Sequence, residues 1–244
     1  RFKTHPKMKE LFDGGRRISY GARALNEGGW QSLPKLSFPG GALIGCDAGT
    51  LNTPKIKGTH TAMKSGMIAS DEVFEQLNLG NTNNDISMFE ENFKSSWAGI
   101  ELKKARNVRP SFKYGLFWGM LLTGIDQIFL RGNAPWTLNH SEPDHLSLIE
   151  KTKSKKIKYP KPDGIITFDR LTNVSFSSTY HEENQPCHLR ILDDSIPISN
   201  NYELFDSPEQ RYCPAGVYEI LNDDDRPKLQ INSQNCIHCK TCDI

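Results

Sequence analysis

Apolar positions along this chain fall into short clusters separated by glycine, proline and lysine. Residues 1–40 hold three glycine pairs, at 14–15, 28–29 and 40–41, with strand-like pieces such as RRISYGARAL between them. Ala42–Cys46 is a small apolar run, the size of one buried strand. A loop with Gly49, Pro54 and Gly58 follows. From about Thr61 to Leu77 the spacing turns helical, and Ala62, Met63, Ile68, Ala69, Val73 and Leu77 can share one broad face. Strand, glycine-rich loop and helix in this order aim backbone N–H groups at an anion. A second helix is expected over Ile86–Lys104, with Phe89, Phe93 and Trp97 at i, i+4 and i+8 as core residues.

The most apolar stretch is Tyr114–Leu130, which would be roughly 26 Å long as a helix. Crossing a bilayer takes about 20 residues with few charges, and Asp126 and Gln127 interrupt this run near one end. Arg109, Lys113 and Arg131 flank it, with Trp118 and Trp136 nearby. Two readings stand side by side: a buried core helix, or a helix lying in one leaflet with basic and aromatic anchors at headgroup level. Next, residues 151–161 carry six lysines. Such a run is a solvated linker, or an attractor of anionic lipid if the preceding helix touches a membrane. From Pro160 onward short strands and turns are expected, as in GIITFD, NVSFSST and HLRILD.

Composition narrows the picture. With 244 residues the chain can build one large or two ordinary domains. Mean hydropathy is -0.56, which excludes a polytopic membrane protein. The net charge of +1 argues against bulk capture of nucleic acid, and only Tyr159 interleaves the lysines to stack on bases. The first residues, RFKTHPKMKE, are neither a signal peptide nor a start, so the chain is expected to be part of something longer.

The six cysteines are Cys46, Cys187, Cys213, Cys236, Cys239 and Cys242. Three of them form C-x2-C-x2-C in NCIHCKTCDI. Disulfide frameworks spread their cysteines, and zinc sites favour two separated pairs. Three thiolates on one tight loop suit a cubane, which offers each a separate iron corner. Ferredoxins pair such a triplet with a distant Cys-Pro, and Cys213-Pro214 is one. The expected ligands of a single [4Fe–4S] cluster are therefore Cys213, Cys236, Cys239 and Cys242, with zinc the alternative. Thr241 and Tyr218 carry hydroxyls that could donate to the cluster or its sulfurs; otherwise Thr241 caps a turn and Tyr218 packs. His238 lies between two ligands and is expected to be exposed. Cys46 and Cys187 have no partner at ligand spacing and are expected as small buried residues.

GGALIGCDAGTLNTPKIKGTHTAMKSG, the RPS, LRG and PWTL pieces of residues 109–138, YPKPDG, DDSIPI, PEQRYCPAGVYE and NCIHCKTCDI together resemble the electron-transfer flavoprotein–ubiquinone oxidoreductase family over the whole length. The resemblance implies an α+β or α/β architecture: the C-terminal part of a glutathione-reductase-like FAD-binding flavoprotein with a membrane-contacting helix, then a ferredoxin-like [4Fe–4S] domain. It implies 1–40 as part of the quinone and FAD domain, 41–108 as the end of the FAD-binding domain, 109–140 as a membrane-associated segment and 158–244 as the cluster domain. FAD contacts are implied at Gly45, Asp47, Lys57, Gly58, Thr59 and Thr61; ordinary helix capping is the other role for the two threonines. The implied reaction takes electrons from reduced electron-transfer flavoprotein, through FAD and the cluster, to ubiquinone, linking fatty-acid and amino-acid dehydrogenation to respiration. The implied location is the matrix face of the mitochondrial inner membrane, or the bacterial cytoplasmic membrane, attached monotopically through about 114–130. The dinucleotide fingerprint is absent, so this chain alone is expected not to reduce quinone. A geranylgeranyl-reductase-like flavoprotein is one rival, against which the cluster motif speaks. A non-catalytic zinc or ferredoxin-like interaction module is another.

Overall fold

The computed structural model describes residues 2–81, 86–140, 142–223 and 226–243; Ile244 of the closing motif lies outside them. The chain forms two compact units. One is continuous, residues 25–142; the other joins residues 1–24 to 143–244.

The discontinuous unit opens with α1 (Pro6–Phe12), whose proline occupies the first turn, where its missing N–H costs nothing. The expected strand in RRISYGARAL does not form; the segment is pinned by side chains instead. Arg17 stacks between Phe168 and Phe176, its guanidinium 4.0 and 4.1 Å from the two ring centres, and donates to Asn173 Oδ1 at 2.7 Å.

In the continuous unit, β1 (Ser37–Phe38) and β2 (Gly41–Ala42) make a two-residue antiparallel hairpin. The single buried strand expected over Ala42–Cys46 is thereby corrected. The chain leaves the hairpin after Ala42, Ile44 is exposed, and Gly45–Ala48 coil into a 3-10 turn because Gly45 takes a left-handed φ of 62°. α2 (Thr59–Asn78) begins two residues earlier than the periodicity indicates. Its buried stripe is Thr61, Ser65, Ile68, Ala69 and Glu72, whereas Met63, Val73 and Leu77 are exposed. Half of the expected apolar face therefore points outward.

The helix expected over Ile86–Lys104 is two: α3 (Phe89–Ser95) and α4 (Trp97–Ala105). Ser96 divides them, with φ −65° and ψ 163°. Its hydroxyl donates to Phe93 O at 2.7 Å and accepts from Gly99 N at 3.3 Å, ending one helix and capping the next. Phe89 and Phe93 are fully buried, as expected, in a cluster with Leu36, Ala48, Ile68 and Leu102. The break turns Trp97 outward, where it stacks on His60 with ring centres 5.8 Å apart.

After α5 (Val108–Ser111), α6 (Leu116–Gly124) runs into a π-helical turn over Ile125–Phe129. The expected helix of 114–130 is thus shorter and broken in kind, and it is not a core helix. Its inward stripe, Gly119, Thr123 and Asp126 at i, i+4 and i+7, is small and polar. Gly119 is glycine because a Cβ there would stand 2.6 Å from the Phe112 ring. Asp126 is 1 % exposed; Oδ2 accepts from Gln127 Nε2 at 2.9 Å, and Oδ1 has no partner among the described residues. Leu116, Phe117, Trp118, Met120, Ile128 and Phe129 are exposed, Phe129 by 78 %. This inverts the ordinary amphipathic pattern, in which large apolar side chains face the core. Among the described residues no helix is long and apolar enough to cross a membrane.

Beyond residue 142 the strands expected in GIITFD, NVSFSST and HLRILD are absent. Capping explains the first two. Asp163 Oδ1 accepts from Ile165, Ile166 and Thr167 N, closing GIITFD into a turn. Asp169 Oδ1 accepts from Thr172 N at 2.9 Å and starts α7 (Arg170–Val174). HLRILD runs irregularly with no partner strand among the described residues. A π-helical stretch over Pro197–Tyr202 leads into α8 (Glu203–Phe205), then α9 (Glu209–Tyr212). β3 (Tyr218–Asp223) and β4 (Arg226–Ile231) form an antiparallel hairpin, with Tyr218 opposite Ile231. Cys213, Ala215 and Val217 form this unit's buried cluster, flanked by Val174, Leu189, Cys236 and Ile237.

Candidate metal centre

Each thiol of the expected ligand set is delivered by a different local device. Cys213 is buried at the end of α9, where Pro214 stops the helix. Gly216, with φ 66°, folds the chain back so that Val217 N points at Cys213 Sγ, 3.4 Å away. Cys236 follows a 3-10 turn over Ser233–Asn235, and His238 N approaches its sulfur at 3.5 Å. The residues between the later thiols, His238 and Lys240, take left-handed φ values of 54° and 67°. Such alternation curls a backbone around an anionic guest. Thr241 Oγ1 lies 3.3 Å from Cys239 Sγ, and the Tyr218 phenol hydrogen-bonds to Cys242. Both hydroxyls singled out in the sequence therefore lie beside thiols of the expected set. Residues 20–24 close the site from outside: Tyr20 donates its hydroxyl proton to Pro214 O at 3.0 Å, and Ala24 N donates to Cys239 O at 2.7 Å.

All four cysteines line one pocket, walled by Leu189, Ala215, Val217 and Ile237. The cavity resists negative charge. Burial first, then the neighbouring thiols, pushes the Cys236 thiol up. Burial, then the Glu209 charge, pushes the Tyr212 phenol up to about 12. Burial and then Cys242 raise Tyr218 further. Surroundings that disfavour a bare thiolate at Cys236 favour a cationic metal beside it.

Spacing says how many metal ions. A single tetrahedral zinc needs sulfurs about 3.8 Å apart. No three of the four cysteines bring their sulfurs within 4.8 Å of one another; the one trio among the described residues that closes so far is His188, Cys236 and His238. The thiols frame a cage wider than one ion, which fits a cubane. Tyr212, Tyr20 and the histidines beside Cys236 carry no ligand spacing in the sequence, and only the fold brings them here. Cys46 and Cys187 play no part. Against expectation Cys46 is only half-buried and Cys187 is exposed, its thiol donating to Leu189 O at 3.2 Å.

In the continuous unit, the loop before α2 gathers the expected flavin contacts. Gly45 is buried, accepts Thr50 N through its carbonyl at 3.1 Å, and lies so near α2 that a Cβ would stand 3.2 Å from Ala62 Cβ. Asn52 and Lys57 form a bridge that brings Gly58 to the helix start. Asp47, Lys57 and Thr59 are exposed. Thr61 is fully buried and does not cap the helix; its hydroxyl proton is shared between Thr50 O at 2.6 Å and Gly58 O at 2.9 Å.

Beside this loop, Glu101 binds Asn52 Nδ2 and Lys55 Nζ at 2.7 Å and His60 Nε2 at 2.8 Å. Burial alone would raise its carboxyl; the bonds from Lys55, His60 and Asn52 outweigh that and hold it at about 2. A carboxylate lowered on folding adds stability above its ordinary value of about 4.3, and the gain fades as pH falls towards the folded value. Glu101→Gln should therefore melt below the wild type at neutral pH. The difference should close between about pH 4 and pH 2 in thermal scans. A pH-independent difference would exclude the ionised carboxylate as its source.

Four cysteines lining one pocket point to a class, the iron–sulfur proteins. Kinship then gives the family. Residues 164–244 match the family model described as electron transfer flavoprotein-ubiquinone oxidoreductase, 4Fe-4S. The whole chain is 52% identical to the mitochondrial electron transfer flavoprotein-ubiquinone oxidoreductase of Homo sapiens, covering 41% of that protein. It is likewise 52% identical to the electron transfer flavoprotein-ubiquinone oxidoreductase of Pseudomonas aeruginosa, covering 45% of it. The chain is thus similar to this family over its whole length, with residues 164–244 matching its 4Fe-4S model, and spans a little over two fifths of the length of these relatives.

Proposed function

We propose that this chain forms the iron–sulfur and membrane-contacting part of an enzyme that carries electrons from reduced electron-transfer flavoprotein to ubiquinone. The observation that carries the reading is the four-thiol cage inside a chain of this kinship. Cys213, Cys236, Cys239 and Cys242 hold the cluster, which supplies one-electron storage when bound. Thr241 donates to Cys239 and Tyr218 to Cys242, drawing charge off the sulfurs and favouring the reduced state. Residues 20–24 and the apolar wall exclude water from the cage.

The FAD portion of the reading rests on Gly45, Asp47, Lys57, Gly58 and Thr59, with Thr61 fixing the backbone beneath them. The start of α2 would present amides to the flavin there, a setting that stabilises an anionic reduced ring. The outward apolar face of α6 and its π turn supports one-sided insertion into a leaflet, of the inner mitochondrial membrane or of the bacterial cytoplasmic membrane. The lysines of 151–161 stand ready to meet anionic lipid.

Anaerobic reconstitution of the chain with iron and sulfide tests the cluster. Broad visible absorption bleached by dithionite, with an EPR signal on reduction, is the expected result. Colourless protein with one zinc per chain would sink the reading. Thr241→Ala should then lower the midpoint potential, since a donor to sulfur is lost; an unchanged midpoint would reduce Thr241 to a turn residue.

A further inference from the structure

Three histidines pack on the outer side of the Cys236 loop. His181 and His188 stack with ring centres 5.5 Å apart and planes 9° from parallel. His238 lies 5.1 Å from the first ring and 5.0 Å from the second. They come from two separate segments, so the grouping is a product of the fold. His181 is fully engaged. Its Nε2 donates to Cys236 O at 2.7 Å, and its Nδ1 accepts from Gln185 Nε2 at 3.2 Å. It therefore locks the backbone of the loop and backs the ring of His188.

We propose that His188, Cys236 and His238 form a second metal site, one that takes a single thiophilic divalent ion of the zinc type before the cluster is built. One ligand atom from each of the three lies within 4.8 Å of the other two. Zinc bound to one sulfur and two imidazoles needs separations of about 3.5 Å. The two histidines are exposed, so the remaining gap is one for their side chains to close. The exposed histidines leave the fourth position to water, and His181 supplies the backing contact that zinc-binding imidazoles and their loops commonly have.

The four cysteines do not compete for the ion in this conformation, because no three of their sulfurs close as far. The two metal centres share one atom, Cys236 Sγ. A zinc ion held there removes a corner from the four-iron cage, and a completed cluster removes the sulfur from the zinc site. The zinc site stands on its own geometry, while this competition rests on Cys236 being a cluster ligand.

The test uses the full chain, prepared anaerobically without its cluster, and zinc titrated against a chromophoric chelator. One ion should bind per chain. His188→Ala and His238→Ala should each weaken binding at least about tenfold. Without zinc, His188→Ala, which lies outside the cluster loop, should accept iron and sulfide as the wild type does, which also shows that it is folded. Zinc supplied before iron and sulfide should slow cluster assembly in the wild type and much less in the two variants. Equal zinc affinity in wild type and variants would assign the ion to the cysteines alone and overturn the proposal, as would no binding. Histidine-dependent zinc binding with unhindered cluster assembly would keep the site and remove Cys236 from the cluster.

Discussion

Cys213→Ala should leave a colourless protein. The triplet on the 236–242 loop supplies three thiolates, and a cubane with one unsupported iron loses that iron to solvent. Cys213 is also the buried member of the set, fixed by the end of α9 and by the left-handed turn at Gly216. Neither Cys46 nor Cys187 lines the pocket, and the Cys187 thiol is engaged with Leu189 O at 3.2 Å. Cluster content after anaerobic reconstitution should fall below roughly a tenth of the wild-type value. Cys46→Ala and Cys187→Ala should retain it fully. An intact EPR spectrum in Cys213→Ala would refute the ligand set.

Arg106→Met should cost more stability than any other single change outside the cage. Arg106 is buried, and its guanidinium binds four backbone carbonyls, those of Lys103, Gly132, Ala134 and Trp136, together with the Thr137 hydroxyl. It ties the end of α4 to the irregular segment after α6. Methionine fills similar volume but leaves the carbonyls without a donor, each at about 1–3 kcal/mol. A loss of about 3–5 kcal/mol in urea unfolding is expected, comparable with the whole stability of many domains. Arg106→Lys should recover only part of it, because an ammonium cannot span the fork. A loss under about 1 kcal/mol would show that water replaces the missing donors.

The cage was legible because its signal is local: the triplet and the Cys-Pro are fixed by ligand chemistry, whatever the fold around them. Phe89 and Phe93 were legible for the same kind of reason, a four-residue spacing on one helix. Failures cluster where a short polar side chain takes backbone bonds for itself. Ser96 splits one helix into two, Asp163 turns GIITFD back on itself, and Asp169 starts a helix inside an expected strand. Burial of small polar residues misleads in another way. Periodicity assumes that large apolar groups face inward, and α6 reverses this by burying Gly119, Thr123 and Asp126. His181 and His188 have no sequence signal, because they share no period with His238 of the cysteine loop and meet it only through tertiary structure.

The unit that holds the thiols is assembled from both ends of the chain, with residues 25–142 between its two parts. The amide of Ala24 that closes on Cys239 O waits for a partner 215 positions later, the difference between 239 and 24. Contacts of that sequence separation form late, after the entropy of closing a long loop has been overcome. During synthesis residues 25–142 can complete their own unit before the 143–244 segment that residues 1–24 pack with has emerged. A cluster on these four cysteines therefore has to wait for synthesis through residue 242, and a ribosome-bound or truncated chain ending before residue 236 should not hold the metal however long it is supplied with iron and sulfide.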